Sequence, residues 1–295
     1  MNDEIVIASA LGEQVRIHAA RSTDMVNAAR EAHSAAPTCT AALGRTLTVT
    51  GLISSDLKEP SEHVRVRING GGPMGILRTE ADGRGNVRGC ADRMDLYASR
   101  ADGHLDVGRV VGHEGTLQVS RDMGLKEPFT GTVLLTSGEI GEDFARYFAE
   151  SEQIPSVVSV GVLVGEDTRV ISAGGMLIQL LPFAQEEVIS KVEFIAAHMK
   201  PMSEYMREER PVEDLIRELF PDARILDHKP LRWHCDCSKE HFADALSGLR
   251  EQDLVDMIQE DHGAEIVCHY CRKAYRFSEE ELNQLVEKKR ANRNR

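Results

Sequence analysis

Val64-Arg65-Val66-Arg67-Ile68 alternates apolar and charged side chains, the period of two expected of a strand with one face in a core and the other in water. Short runs at 5–8 and 15–18, placed about Gly12, predict a second pair of strands. Ser22 or Thr23 then stands where it would cap a helix carrying Met25, Val26 and Ala29 on one side. Between Thr40 and Leu57 the pattern changes. Ala41, Ala42, Leu43, Leu47, Leu52 and Ile53 leave few polar positions on any side, so a helix here is apolar nearly all round and belongs between two sheets. Further strands are predicted at 105–111, 116–120, 131–136, 157–164 and 176–180. A helix opening at Ser137-Gly138-Glu139 places Ile140, Phe144 and Phe148 on one face. The runs at 157–164 and 176–180 are nearly all apolar, as strands covered on both faces are. Residues 1–181 therefore read as a mixed α/β domain.

After Pro182 the pattern becomes helical. Val188, Val192, Ile195 and Met199 recur at helical spacing and need a surface to bury against, which the first domain could provide. Pro201, Pro211, Pro221 and Pro230 then divide a charged stretch into short segments such as 212–220. Residues 182–230 read as a helical linker of marginal stability. A solvated connection and a segment whose folding depends on its neighbours, and which can be released, both fit that composition.

Residues 231–295 form a third region. Ser238 can cap a helix with Phe242, Ala245 and Leu246, and Gly248 can end it. Leu254, Met257 and Ile258 mark a second helix stopped by Gly263. Ile266-Val267 leads into a knuckle-like turn, 274–277 is its return strand, and Ser278-Glu279-Glu280-Glu281 is a capping box for a last helix bearing Leu282, Leu285 and Val286. The predicted fold class is α+β: an N-terminal mixed α/β domain with a buried helix between sheets, a helical linker, and a small C-terminal α+β domain that binds zinc, for the following reason.

Four of the six cysteines fall in that last region, as Cys235-x-Cys237 and Cys268-x-x-Cys271. Four thiolates in two close pairs can complete a tetrahedral shell around zinc. A metal staple also suits a segment too short for an independent hydrophobic core. The one-residue spacer in Cys235-Asp236-Cys237 additionally allows a cramped disulfide that is easily reduced again, so the zinc site can double as a thiol switch. With four cysteines available, His234, His241, His262 and His269 are not needed as ligands, and the isolated Cys39 and Cys90 read as small hydrophobes.

Composition narrows the function. The 295 residues are 41% hydrophobic with a formal net charge of -13, which suffices for about two domains and argues against broad affinity for nucleic acid or an anionic membrane. The basic Lys288-Lys289-Arg290, with Arg293 and Arg295, reads as a solvated end or an intramolecular charge partner. The opening Met1-Asn2-Asp3-Glu4 is acidic, and no apolar run is long enough to cross a bilayer, so the expected location is cytoplasmic, where paired cysteines read first as metal ligands or redox sensors. Gly70, Gly72 and Gly75 spell G-x-G-x-x-G, but Pro73 and an extended 76–79 stand where a phosphate-binding helix should begin, which favours a tight turn. No catalytic constellation stands out, and an all-cysteine shell leaves no open position for substrate. The chain is not expected to be an enzyme.

The two cysteine pairs at this separation resemble those of the redox-regulated heat-shock chaperones of the 33 kDa chaperonin family. The likeness extends through Pro37-Thr38-Cys39-Thr40-Ala41-Ala42-Leu43-Gly44-Arg45, the Gly70–Gly75 turn, Ser137-Gly138-Glu139-Ile140, Ser151-Glu152-Gln153 and Ala173-Gly174-Gly175, and covers nearly the whole chain. It implies an ATP-independent holdase for unfolded client proteins, inactive with zinc on Cys235, Cys237, Cys268 and Cys271. Oxidation would switch it on by pairing Cys235 with Cys237 and Cys268 with Cys271, releasing zinc. It also implies a linker that loosens with the switch, an active homodimer, and hand-over of clients to ATP-dependent chaperones. Competing readings are a structural zinc-ribbon protein that binds nucleic acid or has a regulatory role, and a thiol-disulfide oxidoreductase using Cys268-x-x-Cys271.

Overall fold

The computed structural model describes residues 2–293 and separates into two compact units, a larger one ending at His234 and a smaller one beginning at Cys235. The larger unit is built on two sheets. The first contains β1 (Glu4–Ala10), β2 (Val15–Arg21), β8 (Ser156–Val164), β9 (Val170–Leu180) and β10 (Arg224–Pro230) in the order β10-β1-β2-β9-β8, with every pairing antiparallel. The second contains β3 (His63–Asn69), β4 (Leu77–Asp82), β5 (Asn86–Ala91), β6 (Thr116–Asp122), β7 (Phe129–Leu134) and the short β11 (Arg232–Trp233), in the order β11-β5-β4-β3-β6-β7. The alternation at 64–68 is the central strand β3, whose Val64, Val66 and Ile68 are buried in the core.

Helix α1 (Thr23–His33) leads into α2 (Pro37–Ser54), which lies between the sheets against β2, β8 and β9 on one side and β3, β4 and β5 on the other. All of its eighteen residues except Pro37 and Arg45 are buried. A helix with so many threonines tolerates this because each hydroxyl finds a partner. Thr46, Thr48 and Thr50 donate to the carbonyls of Ala42, Gly44 and Thr46, Thr38 donates to Ala98 O, and Thr50 also meets Thr79. Close approach is the second requirement. A β-carbon on Gly44 would lie 2.5 Å from Val26 Cγ1, and one on Gly51 would lie 2.6 Å from Leu231 Cδ1.

Local chemistry departs from expectation in two places. Ser22 precedes α1 but makes no cap with its side chain; it bonds Thr48 instead, and the helix is capped from a distance by Asp3 Oδ2, which accepts from Met25 N at 2.6 Å. The strand expected at 105–111 is instead α3 (Val107–Val111), preceded by an isolated bridge at Leu105. Val107, Val110 and Val111 have helical spacing, and the Asp106 side chain caps the turn by accepting from Arg109 N. The Gly70–Gly75 run is a turn packed on the end of this helix. A β-carbon at Gly70 would lie 2.3 Å from Gly112 O, and one at Gly72 would lie 2.5 Å from Val110 O. The helix after Ser137 is α4 (Gly141–Tyr147), continuing into a wide turn at Phe148–Glu152. The buried Asp143 carboxylate gathers the N–H groups of Thr136, Ser137 and Ile140 at its start.

Residues 182–230 form α5 (Glu186–His198), α6 (Met202–Arg207) and α7 (Val212–Leu219), followed not by helix but by the edge strand β10. The face of the first sheet turned away from α2 carries Val6, Ala8, Val15, Ile17, Ala19, Met176 and Ile178. Met202, Tyr205, Met206, Leu215, Ile216 and Phe220 complete a second core with them. One cross-strand row, Arg21, Gly174 and Gly161, seats α6. The buried Arg21 guanidinium donates to the carbonyls of Met206, Glu208 and Arg210. The two glycines leave room for α6: a β-carbon on Gly174 would lie 2.5 Å from Met206 Cγ, and one on Gly161 would lie 2.6 Å from Ser203 N.

The smaller unit contains α8 (Lys239–Ser247), α9 (Glu251–Asp261), the hairpin β12 (Gly263–Val267) and β13 (Ala274–Ser278), and α10 (Glu279–Arg293). Its buried core is Leu246, Leu254, Tyr275, Phe277, Leu282 and Val286, with Cys268 buried nearby. Ser238 caps α8 by accepting from His241 N. Ser278 and Glu281 form the reciprocal box that opens α10. Of the basic tail, the side chain of Arg293 and the whole of Arg295 lie outside the described residues.

Candidate metal centre

Cys235 and Cys237 lie in the extended stretch before α8, and Cys268 and Cys271 lie in the turn between β12 and β13. That turn is held shut by Cys268 N donating to Lys273 O at 2.9 Å and Arg272 N donating to Cys268 O at 2.8 Å, with Arg272 at φ 61°. The four Sγ atoms all lie within 4.8 Å of one another. Across the pairs, Sγ lies 3.3 Å from Sγ between Cys237 and Cys271 and 3.8 Å between Cys235 and Cys268. Tetrahedral zinc with Zn–S bonds of about 2.3 Å has sulfur–sulfur edges of about 3.8 Å, so the quartet has the dimensions of a zinc cage.

Its electrostatics also suit a cation. Burial, then hydrogen bonding with Cys237 and the charges of Cys268 and Cys271, push the Cys235 thiol far up. Burial, with hydrogen bonding to Cys237 and Cys268, raises Cys271 as well. Burial works against ionisation of Cys237 too, but hydrogen bonds with Tyr275 and the other cysteines outweigh it and hold this thiol below its ordinary value. Four sulfurs this close cannot all carry charge against one another, and a divalent cation removes that penalty.

Among the described residues these cysteines are the one group of three or more potential ligands whose donor atoms converge. None of the four histidines joins them. His269 is exposed, His262 pairs with Glu279 at 2.8 Å, the His241 ring packs edge-on to Phe242, and His234 N donates to Val87 O in the larger unit. Cys39 and Cys90 are buried in the larger unit, and burial raises the Cys39 thiol. The sequence reading did not single out Tyr275. Its hydroxyl donates to Cys237 O at 2.8 Å and lies 3.2 Å from Cys237 Sγ. Its place one strand residue beyond the knuckle looks like an ordinary core position.

A two-unit α+β fold whose smaller unit gathers four thiols into a metal-sized cage defines the class of protein. The family model described as Hsp33 protein matches residues 3–278, and the chain belongs to this Hsp33 family. It is 42% identical over 285 residues to the 33 kDa chaperonin of Bacillus subtilis (strain 168), covering 96% of this chain and 98% of the relative. It is 40% identical over 289 residues to the 33 kDa chaperonin of Staphylococcus aureus (strain Newman), covering 97% and 98%. The crystal structure of the 33 kDa chaperonin (heat shock protein 33 homolog) of Thermotoga maritima is similar with a TM-score of 0.91 at 33% identity, covering 99% of this chain and all of that one. Among the described residues no helix is long and apolar enough to cross a membrane.

Proposed function

We propose that this protein is a redox-switched, ATP-independent holdase in the cytoplasm, and that it is not an enzyme. The working division is a client-binding and dimerisation domain at 1–181, a metastable linker at 182–230 and a zinc switch at 231–295. The convergence of four thiol sulfurs on one cage carries the reading, and the family's chaperonin names support it. Cys235, Cys237, Cys268 and Cys271 are the ligands. Zinc, when bound, would keep all four as thiolates and supply the folding energy that a core of six large side chains lacks.

The switch consumes the ligands. A thiolate attacks hydrogen peroxide and takes one oxygen as a sulfenic acid, and the other oxygen leaves as water after taking up protons. The neighbouring thiolate then displaces that oxygen, also as water, and closes the disulfide. Each disulfide costs one peroxide and two electrons from sulfur. Sequence-adjacent closure, Cys235 with Cys237 and Cys268 with Cys271, is the pairing we propose, and peptide mapping of the oxidised chain tests it. With its ligands gone the smaller unit loses its staple. The linker, whose folding rests on burial against the first sheet, then loosens and uncovers the apolar face of Val6, Ile17, Met176 and Ile178 for client segments. Active protein pairs as a homodimer and passes clients on to ATP-dependent chaperones.

Light scattering from a heat-unfolding client tests the proposal. Suppression of aggregation by the peroxide-treated chain alone, reversed by reductant, is the expected result. Equal failure of both forms would shift weight to a structural zinc ribbon, which salt-dependent binding to nucleic acid would then support.

A further inference from the structure

The phenol of Tyr275 is placed where a core residue has no need to be. Its ring packs in the small core, with centroids 5.1 Å from Phe242, and Lys273 Nζ lies 5.1 Å from its face. Packing alone would be served by phenylalanine, as it is at Phe277 two residues on along the same face of β13. The hydroxyl instead reaches out of the core to both ends of one ligand residue, 2.8 Å from the carbonyl of Cys237 and 3.2 Å from its sulfur. Cys237 Sγ also lies 3.3 Å from Cys271 Sγ. One rigid side chain therefore ties the small hydrophobic core to a cysteine of the Cys235–Cys237 stretch.

Two consequences follow from ordinary chemistry. A hydrogen bond from a partner outside the shell fixes the direction of a metal ligand and strengthens the site. The phenol has one proton, which it gives to the Cys237 carbonyl while the sulfur keeps its own; once that sulfur is a zinc-bound thiolate, 3.2 Å away, it can share this proton, and a hydrogen bond there withdraws electron density from the lone pair that attacks an oxidant, so the bonded thiolate reacts more slowly than a free one. Resting on the switch proposed above, we infer that Tyr275 is a positioning residue whose hydroxyl holds Cys237 in the zinc cage and sets how readily oxidant releases the metal. It does no redox chemistry of its own.

Full-length chains carrying Tyr275→Phe and, as a packing control, Phe242→Leu test this. Three quantities are read on each: zinc content of the purified protein, zinc affinity by competition with a chromogenic chelator, and the rate of zinc release at fixed peroxide. Tyr275→Phe keeps the ring and should bind zinc about ten-fold more weakly and release it several-fold faster, with the thermal unfolding of the larger unit unchanged. Phe242→Leu should loosen the small core without accelerating release to the same extent. Equal affinity and release in Tyr275→Phe and wild type, both zinc-loaded, would overturn the role of the hydroxyl and leave the cage intact. Equal acceleration in the two variants would reduce Tyr275 to a core residue. A wild-type chain that carries no zinc would overturn the cage and this inference together.

Discussion

The two units reach stability by different means. The larger one encloses α2 between two sheets and adds a second core on the far side of the first sheet. The smaller one buries six large side chains and one cysteine beside a cage of thiols. Apolar burial around α2 holds the core of the first together without a metal, although the layer that completes its second core is the part the proposed switch would loosen. On the proposed function the second is conditional, since a module of this size rarely supplies enough hydrophobic stabilisation by itself. A protein built from one unconditional part and one conditional part can lose the second while keeping the first.

The sharpest way to separate the parts is to take away a proposed ligand. Cys268→Ser should abolish tight zinc binding and with it an apparent contribution of about 10 kcal/mol to the smaller unit. Amide exchange should then report 235–293 as open while α2 and the sheets stay protected. Full zinc retention would contradict the ligand assignment. The converse substitution, Leu47→Ala at a site of zero exposure in α2, should cost the larger unit about 2–5 kcal/mol and leave chelator competition for zinc unchanged.

Smaller effects fall on the layer over the first sheet. Gly161→Ala pushes a methyl group to within 2.6 Å of Ser203 N, and Arg21→Met strands three carbonyls that one guanidinium now satisfies. Each should cost about 1–3 kcal/mol and raise exchange across 201–220. If the linker governs client access, each should also lower the oxidant dose needed for holdase activity.

The smallest effect is in pH. Burial holds His18 down to about 4 against an ordinary 6.5, with Asp56 opposing and Arg16 and Lys229 assisting. Its neutral form is therefore favoured on folding, and that stability is full above pH 6.5 and lost as pH falls through about 4. Burial moves Asp3 the other way, from 3.8 to about 6, so its contribution is full below pH 3.8 and lost as pH rises through about 6. The two oppose each other across the same window. Asp3→Asn keeps an oxygen to cap Met25 N and removes one of the opposing groups. Urea unfolding should show the variant gaining on wild type at pH 7 relative to pH 4.5. A constant difference would mean that Asp3 is not buried as a carboxylate.

The buried helix and most strands were legible in the sequence because each depends on residues close together in the chain, and the cysteine cage because it is made of two such close pairs, although they meet across 33 and 34 residues. Spacing alone picked out the four cysteines whose sulfurs converge, and the apolar run at 40–57 has no wet side to offer. The failures have a common cause. Val107, Val110 and Val111 fit both a short strand and one turn of helix, and Asp106 as a cap decides between them only in context. The cap on α1 comes from Asp3, on the other side of a hairpin, while the residue placed to do it bonds Thr48. Gly161, Gly174 and Arg21 form a seat only because three strands bring them into one row. Tyr275 likewise gains a partner 38 residues away. Long-range register creates these features, and no local pattern announces them.

Enclosure of α2 also constrains the order of events during folding. A helix whose flanks are closed on both sides, with gaps at Gly44 and Gly51 too small for a methyl group, cannot be slid into a finished shell. The sheets must close around it, although β8 and β9 are synthesised more than a hundred residues later. Until they arrive, the newly made helix leaves the sixteen residues it buries in the folded protein without that part of their cover. We expect pulse-labelled amides of α2 to gain protection no earlier than those of β9, and early protection of α2 alone would show that another surface shelters it first.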